Sequence, residues 1–211
     1  MHVMPYLLSF YLFLGTNVGA LAALILYKIP KIKTSHLYVL CGVVLTALLA
    51  VELIPHALQE YSFISVAFGT SLGVLSCMCL HELLEDVPSS AYRSALFITL
   101  AIGIHNIPVG LAVGSTLDNE QFTTSFIAAM VIHQIPEGLA IMTPLLLSGK
   151  RQLSLFLFFI FSLLLSGIFL FFSRLGHFIE LPWKSSGLIV GTAIGFLLFT
   201  VLAEFLFKKH S

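Results

Sequence analysis

The chain has 211 residues, of which 58% are hydrophobic and only 9% charged, with a mean hydropathy of +1.03. Soluble domains carry about 25% charged residues, so this composition excludes a disordered chain and argues strongly against a soluble globular enzyme. It points to a bundle of membrane helices. Ten basic and ten acidic residues give zero net charge, and no polybasic surface suggests a nucleic-acid partner.

A membrane span needs roughly 20 mainly apolar residues. Seven such segments follow one another, near 6–28, 36–58, 63–84, 92–115, 124–147, 153–173 and 186–207. The expectation is an all-α, polytopic transmembrane bundle forming a single domain over 1–211. A β-barrel would instead show alternating segments of about ten residues. The N-terminal MHVMP lacks a basic start and the apolar run after it is too long for a signal peptide, so the first span is expected to be kept. Cys41, Cys77 and Cys79 lie in apolar runs, odd in number and without a CxxC, and read as small buried hydrophobes.

The charges sit in the connections. Lys28, Lys31, Lys33, Arg93, Lys150, Arg151, Lys208 and Lys209 fall on one side, and only Arg174 and Lys184 on the other. The positive-inside rule therefore predicts an outer N-terminus and a cytoplasmic C-terminus in a cell membrane. Three GTxxG motifs (Gly15/Gly19, Gly69/Gly73, Gly191/Gly195) and the pair Gly110/Gly114 read as helix-packing contacts without chemistry.

The informative feature is an internal echo. Residues 105–112 read HNIPVGLA and residues 133–140 read HQIPEGLA. Each copy falls at mid-span, and adjacent spans run in opposite directions, so the two motifs are expected to face each other at mid-bilayer. At 100° per residue, His105 and Asn106 flank position 109, and His133 and Gln134 flank Glu137. Pro108 and Pro136 loosen the carbonyls of Ile104 and Ile132, which is tolerated at membrane depth beside a polar cavity. Imidazole, carboxylate and amide oxygen suit Zn²⁺, Fe²⁺ or Mn²⁺. An ionisable group there costs at least about 2.5 kcal/mol and marks a pathway.

These residues resemble the ZIP (Zrt/Irt-like) family of divalent metal transporters, whose fourth span carries an HNxPEG-like motif and whose fifth an H-[EQ]-x-P-[EH]-like motif. VELIPHAL in span 2 is similar to the family's HLLPEA ending with Glu52 and His56 exchanged, and GLIVGTAIGFLLFTVLAEFL to its seventh span. The resemblance implies a ZIP-like bundle that carries metal into the cytoplasm. Three departures stand out: Val109 replaces a bridging Glu, span 6 has no carboxylate, and no counterpart of the family's eighth helix follows span 7. With Glu137 alone, a second dication would face the first largely unneutralised, so one ion is expected. Glu52, a turn or more outward, offers charge balance.

Other ionisable groups have two readings each. Glu52 and His56, four apart, are either an entrance site or a headgroup-level ion pair. In HELLED, His81 shares a helix face with Glu85, and Glu82 with Asp86; this is a metal-release site at the exit or a solvated helix end. HELLE lacks the second His of a zincin. Glu204 has Lys208 four residues on as an ion-pair partner. Asp118 and Glu120 read as a solvated turn, and His2, His36, His177 and His210 as interfacial. The sequence thus predicts a transporter with the metal held by His105, Asn106, His133, Gln134 and Glu137. The ion, zinc first and then iron or manganese, is the substrate. No organic cofactor is expected, and the partners are the ion and the lipid bilayer, with a homodimer left open. The rival readings are an intramembrane zinc hydrolase and a non-transporting metal-binding relative acting as sensor or partner subunit.

Overall fold

The computed structural model describes residues 4–30, 34–87, 89–116, 123–178 and 183–206. All its regular elements are helical: α1 Met4–Tyr27, α2 Thr34–Leu48, α3 Ile54–Glu60, α4 Phe63–Leu83, α5 Ser90–Thr116, α6 Thr123–Leu146, α7 Arg151–Gly176 and α8 Trp183–Thr200. Two π-helical turns, Leu49–Leu53 and Val201–Leu206, continue α2 into α3 and extend α8. Counting α2 and α3 as one passage gives seven long helical passages. Six of them are, over the described residues, long and apolar enough to cross a bilayer, α6 being the other long helix.

Span 2 is corrected in one respect. It was expected as one continuous α-helix, but the π turn widens it at Leu49–Leu53. A π turn closes i to i+5 rather than i to i+4, so residues either side of it lose ordinary α-helical register. Pro55, in the first turn of α3, lacks the N–H that would continue the ladder.

Packing sorts the helices into two groups, α1, α5, α6 and α7 in one and α2/α3, α4 and α8 in the other. Within each group backbones approach very closely. A methyl built on Gly138 of α6 would lie 1.9 Å from the carbonyl oxygen of Thr16 in α1, and one on Gly73 of α4 would lie 2.1 Å from that of Thr192 in α8. The threonines of the GTxxG motifs supply these carbonyls while their hydroxyls bond back one turn, Thr16 to Leu12 and Thr192 to Leu188. Small residues let the helices touch without leaving a polar group unsatisfied in lipid. The closest approaches join α1 to α6, α5 to α7 and α4 to α8, that is, helices of the same group. Between the groups α5 packs along α8 and α2 along α6, with side-chain contacts such as Cys41 Sγ of α2 at 3.5 Å from Thr143 Oγ1 of α6.

One half of the bundle is sealed. Leu45, Ile98, Ile102, Ile141, Leu145, Leu197 and Val201 are buried there in one apolar cluster. The other half holds a cavity, and the site lies at its floor.

Candidate metal centre

Both copies of the repeated motif lie inside continuous helix, with Pro108 within α5 and Pro136 within α6. His105 and His133 stack with ring centroids 5.6 Å apart and 12° between planes. Ligand atoms of His105, His133 and Glu137 all lie within 4.8 Å of one another. His133 Nε2 stands 3.3 Å from Glu137 Oε1, one helical turn further on. His105, Asn106, Gln134 and Glu137 are buried, at 3%, 1%, 2% and 1% exposure, at a depth where burying polar groups requires partners.

Several of the polar atoms here lack a hydrogen-bond partner among the described residues. His105 Nδ1, Asn106 Nδ2, His133 Nε2 and both carboxylate oxygens of Glu137 are buried without a hydrogen-bond partner among the described residues. Leaving one buried polar group unmatched costs about 1–3 kcal/mol, and more for a charged one. Four of these atoms, on the clustered His105, His133 and Glu137, describe a socket that an ion completes. The donor set of imidazoles, carboxylate and amides suits a divalent cation of borderline softness.

A cavity of about 500 Å³ leads to this floor. It lies between the helix groups, lined by α2/α3, α5, α6 and α8, and reaches Gln59 and Tyr61 at the junction of α3 with α4. Val109 lines it beside His105 and Asn106, so the position where the repeat lacks its carboxylate faces the cavity.

The remaining candidates divide. Glu52 and His56 both line the cavity. Glu52 also makes an ion pair with His133, Oε2 to Nδ1 at 3.9 Å, so it stands beside the cluster with its side chain 55% exposed. The shared helix faces expected for HELLED fail, because α4 ends at Leu83 and residues 84–86 form turns. Glu82, Glu85 and Asp86 are exposed there, and the Arg93 guanidinium bonds the Glu85 carbonyl at 3.0 Å. His81 turns inward, its Nε2 3.6 Å from Glu204 Oε1 and its ring edge-on to Phe97 and Phe199. Glu204 is thus a buried partner of His81, at 1% exposure, while Lys208 lies outside the described residues. So do Asp118, Glu120, His2 and His210. His36 and His177 are exposed.

Sequence reasoning missed Thr16. Its Oγ1 lies 3.3 Å from Gln134 Oε1 and 2.9 Å from the Leu12 carbonyl. A hydroxyl has one proton to give. It serves either the Leu12 carbonyl or Gln134 Oε1. The available signal was the GTNVG motif, which reads as packing alone.

The fold and site define a multi-pass membrane protein with a buried His/Glu/amide centre at the floor of a cavity between two helix groups. The family model described as ZIP Zinc transporter matches residues 85–209, more than half of the chain, and the chain belongs to that family. Both halves of the repeated motif lie in the matched segment. No curated protein matches the chain. Membership places it among metal-ion transporters of the membrane.

Proposed function

We propose that this protein moves a divalent metal ion, zinc foremost, into the cytoplasm, holding it at His105, His133 and Glu137 with Asn106 and Gln134 as weaker or outer ligands. The observation that carries this reading is the cluster of unpartnered ligand atoms of His105, His133 and Glu137, two of whose residues, His105 and His133, line the cavity. Imidazoles and carboxylate replace the water shell of the ion. The interface between the two helix groups, without the backbone welds found inside each, supports alternating access by movement of one group against the other.

A zinc hydrolase needs an open metal position and a free general base beside it. Glu137, the buried carboxylate of the cluster, is occupied as ligand, and Glu52, the other carboxylate beside it, faces the His133 ring. Flux separates the alternatives. Proteoliposomes containing the protein should accumulate zinc well above protein-free vesicles. Binding without flux would instead support a sensor or partner subunit, and hydrolysis without flux an enzyme.

Inward direction rests on orientation. The cavity reaches Tyr61, opposite the end where Arg93, Lys150 and Arg151 lie. With those charges in the cytoplasm, the cavity faces outward. A cysteine replacing Ser148, in an otherwise cysteine-free background, should resist a membrane-impermeant thiol reagent in intact cells. Rapid labelling would reverse the orientation.

Val109→Glu restores the missing half of the repeat. The new carboxylate enters the cavity toward Glu137, and a cation between two carboxylates is held by both. Affinity should rise about tenfold or more, equivalent to about 1.4 kcal/mol, with stoichiometry rising toward two ions. Titration calorimetry in detergent checks this. Unchanged affinity and stoichiometry would mean that residue 109 takes no part in the site.

A further inference from the structure

We infer that Thr16 of α1 is a positioning residue that holds the Gln134 amide oxygen off the ion, and that it thereby favours zinc over harder cations. This rests on the metal reading above and deepens it by setting which donors reach the ion.

The side chains of the centre divide by whether the protein already partners them. His105 Nδ1, His133 Nε2 and both oxygens of Glu137 are buried without a hydrogen-bond partner among the described residues. Gln134 is just as buried, at 2% exposure, yet its Oε1 meets the Thr16 hydroxyl at 3.3 Å. Thr16 is itself wholly buried. It comes from α1, a helix that carries no member of the His105, His133 and Glu137 cluster.

The single proton of that hydroxyl has two acceptors, Gln134 Oε1 and the Leu12 carbonyl at 2.9 Å. They are not equally needy. Within α1 the Leu12 carbonyl also takes the backbone N–H of Thr16, four residues on, so it stays matched when the hydroxyl turns away. For Gln134 Oε1 the hydroxyl is the partner found among the described residues. Buried acceptors are costly to leave unmatched, and this favours giving the proton to the amide while no ion is there to replace it.

Backbone packing fixes the register of the contact. A methyl on Gly138 would lie 1.9 Å from the Thr16 carbonyl oxygen, and one on Gly19 would lie 2.0 Å from that of Ile135. Thr16 is therefore held against the turn of α6 that begins at Gln134, and neither helix can slide along the other without a clash.

The consequence lies in the donor set. With Oε1 engaged by Thr16, the cluster offers two imidazoles and one carboxylate. Three such ligands with an open fourth position form a set that zinc accepts. Carbonyl-type oxygens suit Mn²⁺ better than imidazoles do. Freed from the hydroxyl, the amide oxygen would join the donors and tilt the site toward such a harder ion.

Competition of Mn²⁺ against Zn²⁺, followed by calorimetry on the purified full chain in detergent, reads the ratio of the two affinities. Thr16→Val is close in size and removes the hydroxyl. It should tighten Mn²⁺ relative to Zn²⁺ about fivefold, the worth of one hydrogen bond. Thr16→Ala, a second removal of the hydroxyl, should move the ratio the same way. Thr16→Ser keeps the hydroxyl and should keep the wild-type ratio. On a Gln134→Leu background, Thr16→Val should change nothing further. A wild-type ratio in both Thr16→Val and Thr16→Ala overturns the inference and leaves the metal site standing. Equal weakening of both ions also overturns it, because Thr16 would then hold Gln134 toward the ion. So does a shift that survives Gln134→Leu, which would not run through the amide. A wild-type chain that binds neither ion overturns the metal reading itself, and with it the role of Thr16.

Discussion

Metal binding should disappear when His133 and Glu137 are both replaced by alanine, while the helix bundle persists. The two residues provide two of the three clustered ligand side chains, and the pair within 3.3 Å of each other. Structural zinc sites of four ligands bind with about 10–16 kcal/mol, so losing two ligands should cost about 5 kcal/mol or more. That moves binding out of the range of a titration in detergent. The fold should survive because the double change removes a buried carboxylate together with its imidazole neighbour, and the one carboxylate it leaves unpaired, Glu52, is 55% exposed. The single change Glu137→Ala is gentler on affinity, since Glu52 still faces His133. Calorimetry for binding, with circular dichroism and size-exclusion elution for the fold, decides the matter. Wild-type affinity in the double variant would mean that the ion is held elsewhere.

The parts of this molecule that were legible in the sequence are those fixed by local pattern. Hydropathy located the helical passages to within a few residues at each end, because a run of about 20 apolar residues has few other solutions in a bilayer. The echo of HNIPVGLA and HQIPEGLA located the centre, because two antiparallel helices with motifs at mid-length bring them to one depth. What the sequence did not reveal depends on contacts between distant helices. An α-helical wheel places Glu52 with His56 but is silent on His133, which the packed bundle brings beside it from a distant helix. HELLED reads as helix, yet α4 stops at Leu83, and His81 finds Glu204 across to the π segment of α8. Lys208, at i+4 from Glu204, was the local choice and lies outside the described residues; the His81 contact comes from a distant helix. The GTxxG motifs read correctly as close packing, but not that the Thr16 hydroxyl in one of them also stands beside Gln134 of the metal centre.

Locking the two helix groups together should stop transport without removing the ion. Cys41 of α2 and Thr143 of α6 meet across the boundary, Sγ to Oγ1 at 3.5 Å, and both are buried. Thr143→Cys places a second sulfur there, and a small adjustment brings the pair to the bond length of about 2 Å that a disulfide requires. The native threonine hydroxyl bonds to the Leu139 carbonyl of its own helix and to Cys41 Sγ, and the disulfide replaces the second of these contacts. In a background with Cys77 and Cys79 replaced, oxidation should lower zinc flux at least about tenfold, a difference of 1.4 kcal/mol or more in the barrier. A thiol reductant should restore it. Binding should persist at full strength in the locked protein, because His105, His133 and Glu137 move as one body. The same oxidation of Thr143→Cys carrying Cys41→Ser should do nothing. Undiminished flux through a fully cross-linked protein would show that α2 and α6 do not part during the cycle. In that case movement between the helix groups would not account for release of the ion.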